Sequence, residues 1–260
     1  MHYETFFKKY LVLIEKRMRR EFGARRKRPF IIHQAMQYAA FTGGKRFRPV
    51  LTLASCEACG GKPQDAILAA LAIELIHTYS LVHDDLPALD NDDIRRGKPT
   101  CHKKFSEANA ILAGDGLLTL AFEFLAGIRP ADRAVRLVHE VATAAGVHGM
   151  IGGQVADLET PARKKSLAEH DFISRYKTGA LLRVAPIDDT GELILEEYEK
   201  LLGPRTKIVA AIHVSNALGT INPIQEMTRL AGGVGAKVVV DGAQAAPHMA
   251  VNVRELGCEK

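Results

Sequence analysis

No apolar run in this 260-residue chain reaches the roughly 18 residues that a membrane-spanning helix needs, although 47% of its residues are hydrophobic. No transmembrane segment is expected, and the hydrophobic content goes to a core. The N-terminus, MHYETFFKKYLVLIEKRMRR, lacks the apolar region and small-residue cleavage site of a signal peptide. It reads as an amphipathic basic helix of a cytoplasmic protein. Cysteine is scarce: Cys56, Cys59, Cys101 and Cys258. Cys56 and Cys59 form a C-x-x-C, but no strand precedes it and no second pair or ligand-spaced histidines accompany it. That argues against zinc and thioredoxin-type chemistry and for free thiols in a reducing compartment. A Walker A loop is also missing: around Gly43-Gly44-Lys45, Ala39 stands where its first glycine should be and Arg46 where Ser or Thr should be.

The chain does have positive charge, with a net +5 and a pI near 9.0. Much of the excess lies in Arg17, Arg19, Arg20, Arg25, Arg26, Lys27 and Arg28. This cluster reads as a solvated helix end and loop, so nucleic acid is not an expected partner; the basic balance suits small anionic substrates. The most concentrated chemistry is HDDLPALDNDDIRRGKPT, residues 83–100. Asp84, Asp85, Asp90, Asp92 and Asp93 crowd together there, followed by Arg95, Arg96 and Lys98. Carboxylates so close repel one another unless something positive sits among them. Mg²⁺ would do so, sharing oxygen ligands with a substrate phosphate, and the arginines suit the phosphates as planar forks.

Hydrophobic periodicity predicts helices over 2–22, 32–41, 50–59, 66–86, 107–125, 131–150 and 167–183, with no alternating strand pattern up to that point. The first 183 residues therefore read as a helical bundle. The texture then changes. A turn at 186–191 and a short helix over 193–202 lead to KIVAAIH (207–213), a helix over 223–231 and AKVVVD (236–241). Strand, helix and strand make a βαβ unit with a parallel pair. The expected fold class is mainly α, a helical bundle over 1–183 followed by a small α/β fragment over 184–260.

The bundle's separated motifs are GGKRFRP (43–49), HTYSLVHDDLPALDNDDIRRGKPTCHKKF (77–105), EANAILAGDGLLTLAFE (107–123), GMIGGQVADL (149–158) and KTGALLR (177–183). Together they resemble the trans-isoprenyl diphosphate synthases, and most closely the bacterial farnesyl diphosphate synthases. The resemblance implies a Mg²⁺-dependent condensation of isopentenyl diphosphate with an allylic diphosphate by a homodimer. It places Asp84, Asp85 and Asp90 as Mg²⁺ ligands and Arg95 on the allylic diphosphate. Lys45, Arg48, His77 and Arg96 would hold isopentenyl diphosphate, and Lys177 and Thr178 would stand at the departing diphosphate. Gln154 and Asp157 would line the pocket. Tyr79, five residues before the first aspartate, would limit the product to C15. On a helical wheel, His77, Ser80 and Asp84 share one face.

The second aspartate-rich motif of that family, DDxxD, does not follow. The nearest string is Asp188-Asp189-Thr190-Gly191-Glu192, a turn rather than a helix. The bundle's C-terminal helices are expected to be missing and activity impaired. From Val184 onward, HVSNALGT and VVVDGAQ resemble the middle of a class V aminotransferase of the cysteine desulfurase type, a type I pyridoxal phosphate fold. By resemblance, Asp241 would face the pyridinium nitrogen, with Asn216 and Gln244 near the phenolic oxygen. The Schiff-base lysine, the ring-stacking histidine, the phosphate loop and the catalytic cysteine are not found, so pyridoxal phosphate is not expected to bind. The join falls in GALLRVAPI, since both families carry a similar GA-x-LR string. The alternatives are a fragment of a desulfurase or a non-catalytic chimeric or truncated product.

Overall fold

The computed structural model describes residues 3–24, 28–159, 185–188, 190–204, 206–215 and 218–257. Two compact units, Met1–Gly146 and Val147–Lys260, are distinguished.

The first unit is helical. Helix α1 (Tyr3–Ala24) carries Tyr10, Ile14 and Met18 on its buried face, at helical spacing. Near its basic end Arg19 and Arg20 are exposed and Arg17 pairs with Glu21 at 2.7 Å, one turn on; Arg25, Arg26 and Lys27 lie outside the described residues. Helix α2 (Phe30–Phe41) leads to α3 (Phe47–Ala58), with Pro49 tolerated in the first turn of α3. After a 3-10 turn (Pro63–Ala66), α4 (Ile67–Asp84) runs through the middle of the bundle. It is buried over most of its surface, as its nearly continuous apolar sequence requires. Helix α4 stops where Pro87 approaches, because proline restricts the residue before it and offers no amide donor.

The chain then makes an antiparallel hairpin, β1 (Ile94–Arg95) with β2 (Lys98–Pro99). The helix-only reading of this stretch missed it, because two-residue strands have no alternation to detect. Its turn, Arg96-Gly97, has positive φ at both residues, the hairpin geometry that glycine favours. Short α5 (Cys101–Phe105) leads to α6 (Glu107–Ala126), which Ser106 caps by accepting from the Asn109 amide. Helix α6 packs on α4. A Cβ at Gly114 would collide with the His83 ring, so glycine permits the close approach. Helix α7 (Ala131–Ala145) ends at Gly146, short of the expected residue 150. Among the described residues, Pro63–Asp84 and Glu107–Ala126 are long and apolar enough to cross a bilayer by length and composition. They are the helices that form the bundle's centre.

The second unit contains α8 (Met150–Glu159), α9 (Leu195–Leu201), β3 (Ile208–Ile212), α10 (Ile224–Gly233) and β4 (Lys237–Asp241). Strands β3 and β4 pair in parallel, Ile208 opposite Lys237 through Ile212 opposite Asp241, with α10 as the crossover. This is the expected βαβ unit. Its core is Tyr198, Ile224 and Met227, against which Val209, Ala211 and Val240 pack. The Tyr198 hydroxyl donates to the Met227 carbonyl at 2.9 Å. The helix expected over 167–183 lies outside the described residues.

Candidate functional site

The end of α4, the hairpin, α5 and α2 enclose a cavity whose polar walls include Glu74, His77, Asp85, Arg95 and Arg96. The face of α4 that lines it is Glu74, His77, Thr78, Leu81 and Val82, continued by Asp85 just beyond the helix. Helix α4 is regular through Asp84, so His77, Ser80 and Asp84 share a face as expected, but Ser80 and Asp84 do not line the cavity. Asp85 stands just past the last helical residue with its backbone still helical, one turn beyond Leu81 and Val82, and Ser80 donates to the His77 carbonyl of its own helix.

Asp85 is 4% exposed. Burial pushes its carboxyl up, and the Arg95 hydrogen bond opposes that shift. The Arg95 guanidinium donates to the Asp85 carboxylate at 2.6 Å and reaches Asp92 at 3.2 Å. Asp84 and Asp90 are linked differently: the Asp90 amide donates to the Asp84 carbonyl at 2.8 Å, setting the two residues side by side. Asp90 is exposed and Asp84 half-buried. Mg²⁺ takes hard oxygen donors, often one or two carboxylates with the rest from phosphate and water. The Asp84–Asp90 pair fits that donor chemistry. Among the described residues, no group of three or more His, Cys, Asp or Glu is gathered into a ready cage.

The cationic side is converging. His77 is held at about pKa 4, by burial first and then by Arg48, Arg96, Arg95 and Arg46. It is a neutral imidazole at neutral pH, surrounded by guanidinium charge. Lys45 and Arg48 are exposed at the start of α3. The Arg96 guanidinium donates to the Gly43 carbonyl, which ties the hairpin to the Gly43-Gly44 loop. Gly44 has φ +132°, and a Cβ there would meet the Arg96 guanidinium. Cys101 lines the cavity floor, its thiol pushed up to about 11 by burial and by Asp85. Tyr79 is buried outside the cavity lining, edge-on to the His83 ring at 5.7 Å. Burial and Asp84 raise its phenol pKa.

Sequence reasoning missed Arg46 and Glu74. Arg46 is 5% exposed and left-handed, with φ 52°. Its guanidinium donates to Glu15 at 2.9 Å, Glu74 at 2.7 Å and the Ala40 carbonyl at 2.6 Å. Burial works against the charge, and the two carboxylates more than offset it, so its pKa moves up. A signal existed: Glu74 is the one acidic residue in the apolar run Ile67–Val82, and a lone buried carboxylate demands a partner.

In the second unit, Gln154 and Asp157 are half-buried on α8. Asp241 ends β4 and is exposed, its carboxylate accepting from the Ala243 amide at 2.9 Å; Gln244 follows in the next turn. Asp188 closes its own turn, accepting from the Thr190 and Glu192 amides at 2.9 and 3.0 Å. Lys177, Thr178 and Asn216 lie outside the described residues.

The family model "Polyprenyl synthetase" matches residues 29–189. The chain belongs to the polyprenyl synthetase family. A second model, "Aminotransferase class-V", matches residues 172–259. The chain is similar to a farnesyl diphosphate synthase of Geobacillus stearothermophilus, 50% identical over 159 residues, or 60% of this chain and 54% of that one. It is also similar to a chloroplastic geranylgeranyl pyrophosphate synthase of Capsicum annuum, 52% identical over 161 residues, or 60% of this chain and 43% of that one. The chain thus spans about half the length of these curated relatives. Among solved structures, a geranyltransferase from Legionella pneumophila superposes with a TM-score of 0.66 at 38% identity, covering 68% of this chain and 64% of that one. The mainly helical polyprenyl synthetase fold, with a small α/β part, is therefore the one the sequence led us to expect.

Proposed function

We propose that this polyprenyl synthetase family chain binds isopentenyl and allylic diphosphates with Mg²⁺ and has the family's head-to-tail prenyl transfer as its chemistry. The observation that carries the reading is the placement of Arg95 and Arg96 beside His77 in the wall of one cavity, with Arg48 close enough to help hold His77 neutral. Guanidinium forks held at a cavity wall suit a diphosphate as bidentate donors. Lys45, Arg48, His77 and Arg96 would hold isopentenyl diphosphate; Arg95 would grip the allylic one.

Asp84 and Asp90 would hold Mg²⁺, and Asp85 would join them only by loosening its bond to Arg95. Bound Mg²⁺ would neutralise the leaving diphosphate. The chain's own contribution is to fix positive charge where that leaving group departs and to keep water out with the apolar helices α4 and α6. Lys177 and Thr178 would stand beside the leaving group, with Gln154 and Asp157 in the pocket wall. Buried Tyr79 would cap a C15 product. Ile111 and Leu112, exposed on α6, support a homodimer. Residues 1–183 would form the synthase part and 184–260 the desulfurase-like part.

No DDxxD follows Lys177 in the sequence, and Asp188 is committed to its own turn. We therefore expect substrate binding with slow or no turnover. Incubation of the purified chain with isopentenyl and geranyl diphosphates, with and without Mg²⁺, tests this. Binding of both substrates with little diphosphate release supports the reading; failure to bind either one refutes it.

A further inference from the structure

The Gly43–Arg48 loop carries the exposed cations Lys45 and Arg48, and a loop that supplies ligand contacts needs an anchor. Arg46 lies between them and points the other way, into the bundle. Its guanidinium reaches Glu15 on α1, the Ala40 carbonyl at the end of α2 and Glu74 on α4. Its own backbone is the left-handed residue that starts α3. One side chain therefore joins the helices that surround the loop. Glu74 lies three residues before His77 on α4, and both line the cavity. A bare carboxylate there would repel a diphosphate, and Arg46 neutralises it at 2.7 Å. From the opposite side, Arg96 holds the same loop through the Gly43 carbonyl.

We infer that Arg46 is a positioning residue for isopentenyl diphosphate: it touches no ligand but fixes the register of Lys45 and Arg48 against His77. The inference rests on the reading of the cavity given under Proposed function. A planar fork with defined partners is required, so charge alone does not suffice. Lysine at this position keeps the charge but has no fork with which to reach Glu15, Glu74 and Ala40 together.

The test uses the full chain and the variants Arg46→Lys and Glu15→Gln, at a temperature where circular dichroism shows each fully folded. Two readouts are taken: isopentenyl diphosphate affinity by calorimetry, and amide hydrogen exchange over 43–48 without ligand. Arg46→Lys is expected to weaken binding about tenfold and to speed exchange over 43–48 while leaving 110–125 on α6 unchanged. Glu15→Gln, which keeps the buried Arg46–Glu74 pair, is expected to weaken binding about threefold, and it decides the matter if Arg46→Lys does not fold. A folded variant with wild-type affinity and wild-type loop exchange overturns the inference, as does exchange that rises equally throughout the unit. If the unmodified chain binds no isopentenyl diphosphate, the proposed function falls, and the exchange readout alone still decides whether Arg46 sets the loop.

Discussion

In the first unit, charged side chains are held by residues far away in sequence: Arg46 by Glu15 and Glu74, Arg96 by the Gly43 carbonyl, Lys9 by Glu57. In the second unit, polar side chains mostly close their own turns. Asp188 accepts from Thr190 and Glu192, Asp241 from Ala243, and Asn252 from the Arg254 amide. Long-range charge pairing fixes a cavity with converging arginines, whereas local turn-closing shapes a backbone. The comparison favours the first unit as the place of the proposed ligand recognition. The second unit also has a two-stranded sheet with Val239 55% exposed, a small core that leaves apolar strand surface in solvent.

The contrast breaks most visibly at Arg95. Arg95→Leu would leave buried Asp85 without its partner, and we expect a loss of about 3–5 kcal/mol in urea denaturation. Asp241→Asn in the second unit should change stability by less than about 1 kcal/mol, since it removes one exposed turn contact. Equal losses at the two positions would erase the distinction.

A pH titration of stability comes next. The folded His77 value of about 4 lies below the ordinary 6.5, so the unfolded chain takes up the proton first. The contribution is fully present above pH 6.5 and is lost as the pH falls towards 4, by about 3 kcal/mol. His77→Gln should flatten that slope. An unchanged slope would mean that His77 is not held neutral by burial and its arginine neighbours.

Gly44→Ala should cost about 2 kcal/mol, because it combines a left-handed backbone with a clash on Arg96. Diphosphate affinity should fall with it. Tyr198→Phe, which removes the buried hydrogen bond to Met227, should cost about 1 kcal/mol in calorimetric unfolding. It should leave diphosphate affinity untouched.

Much of this architecture is legible in the sequence. The apolar run before Asp84 predicts α4 and puts the carboxylates at its end, and KIVAAI and KVVV predict the parallel pair. Other features depend on tertiary context. The hairpin at Ile94–Pro99 is too short for periodicity. Asp85 rather than Asp84 faces the cavity because it continues the face of Leu81 and Val82 at three- and four-residue spacing, and the wheel alone does not say which face of α4 meets the cavity. Arg46 reads as one cation among several in GGKRFRP. Only its burial and its fork of partners separate it from Lys45 and Arg48.

The most direct test is a calorimetric titration of the full chain with isopentenyl diphosphate. The expected result is saturable binding that is lost in the Lys45→Ala, Arg48→Ala double variant and retained in Asp241→Ala. Absence of saturable binding, or binding that survives the loss of Lys45 and Arg48, would contradict the assignment of diphosphate recognition to the first unit.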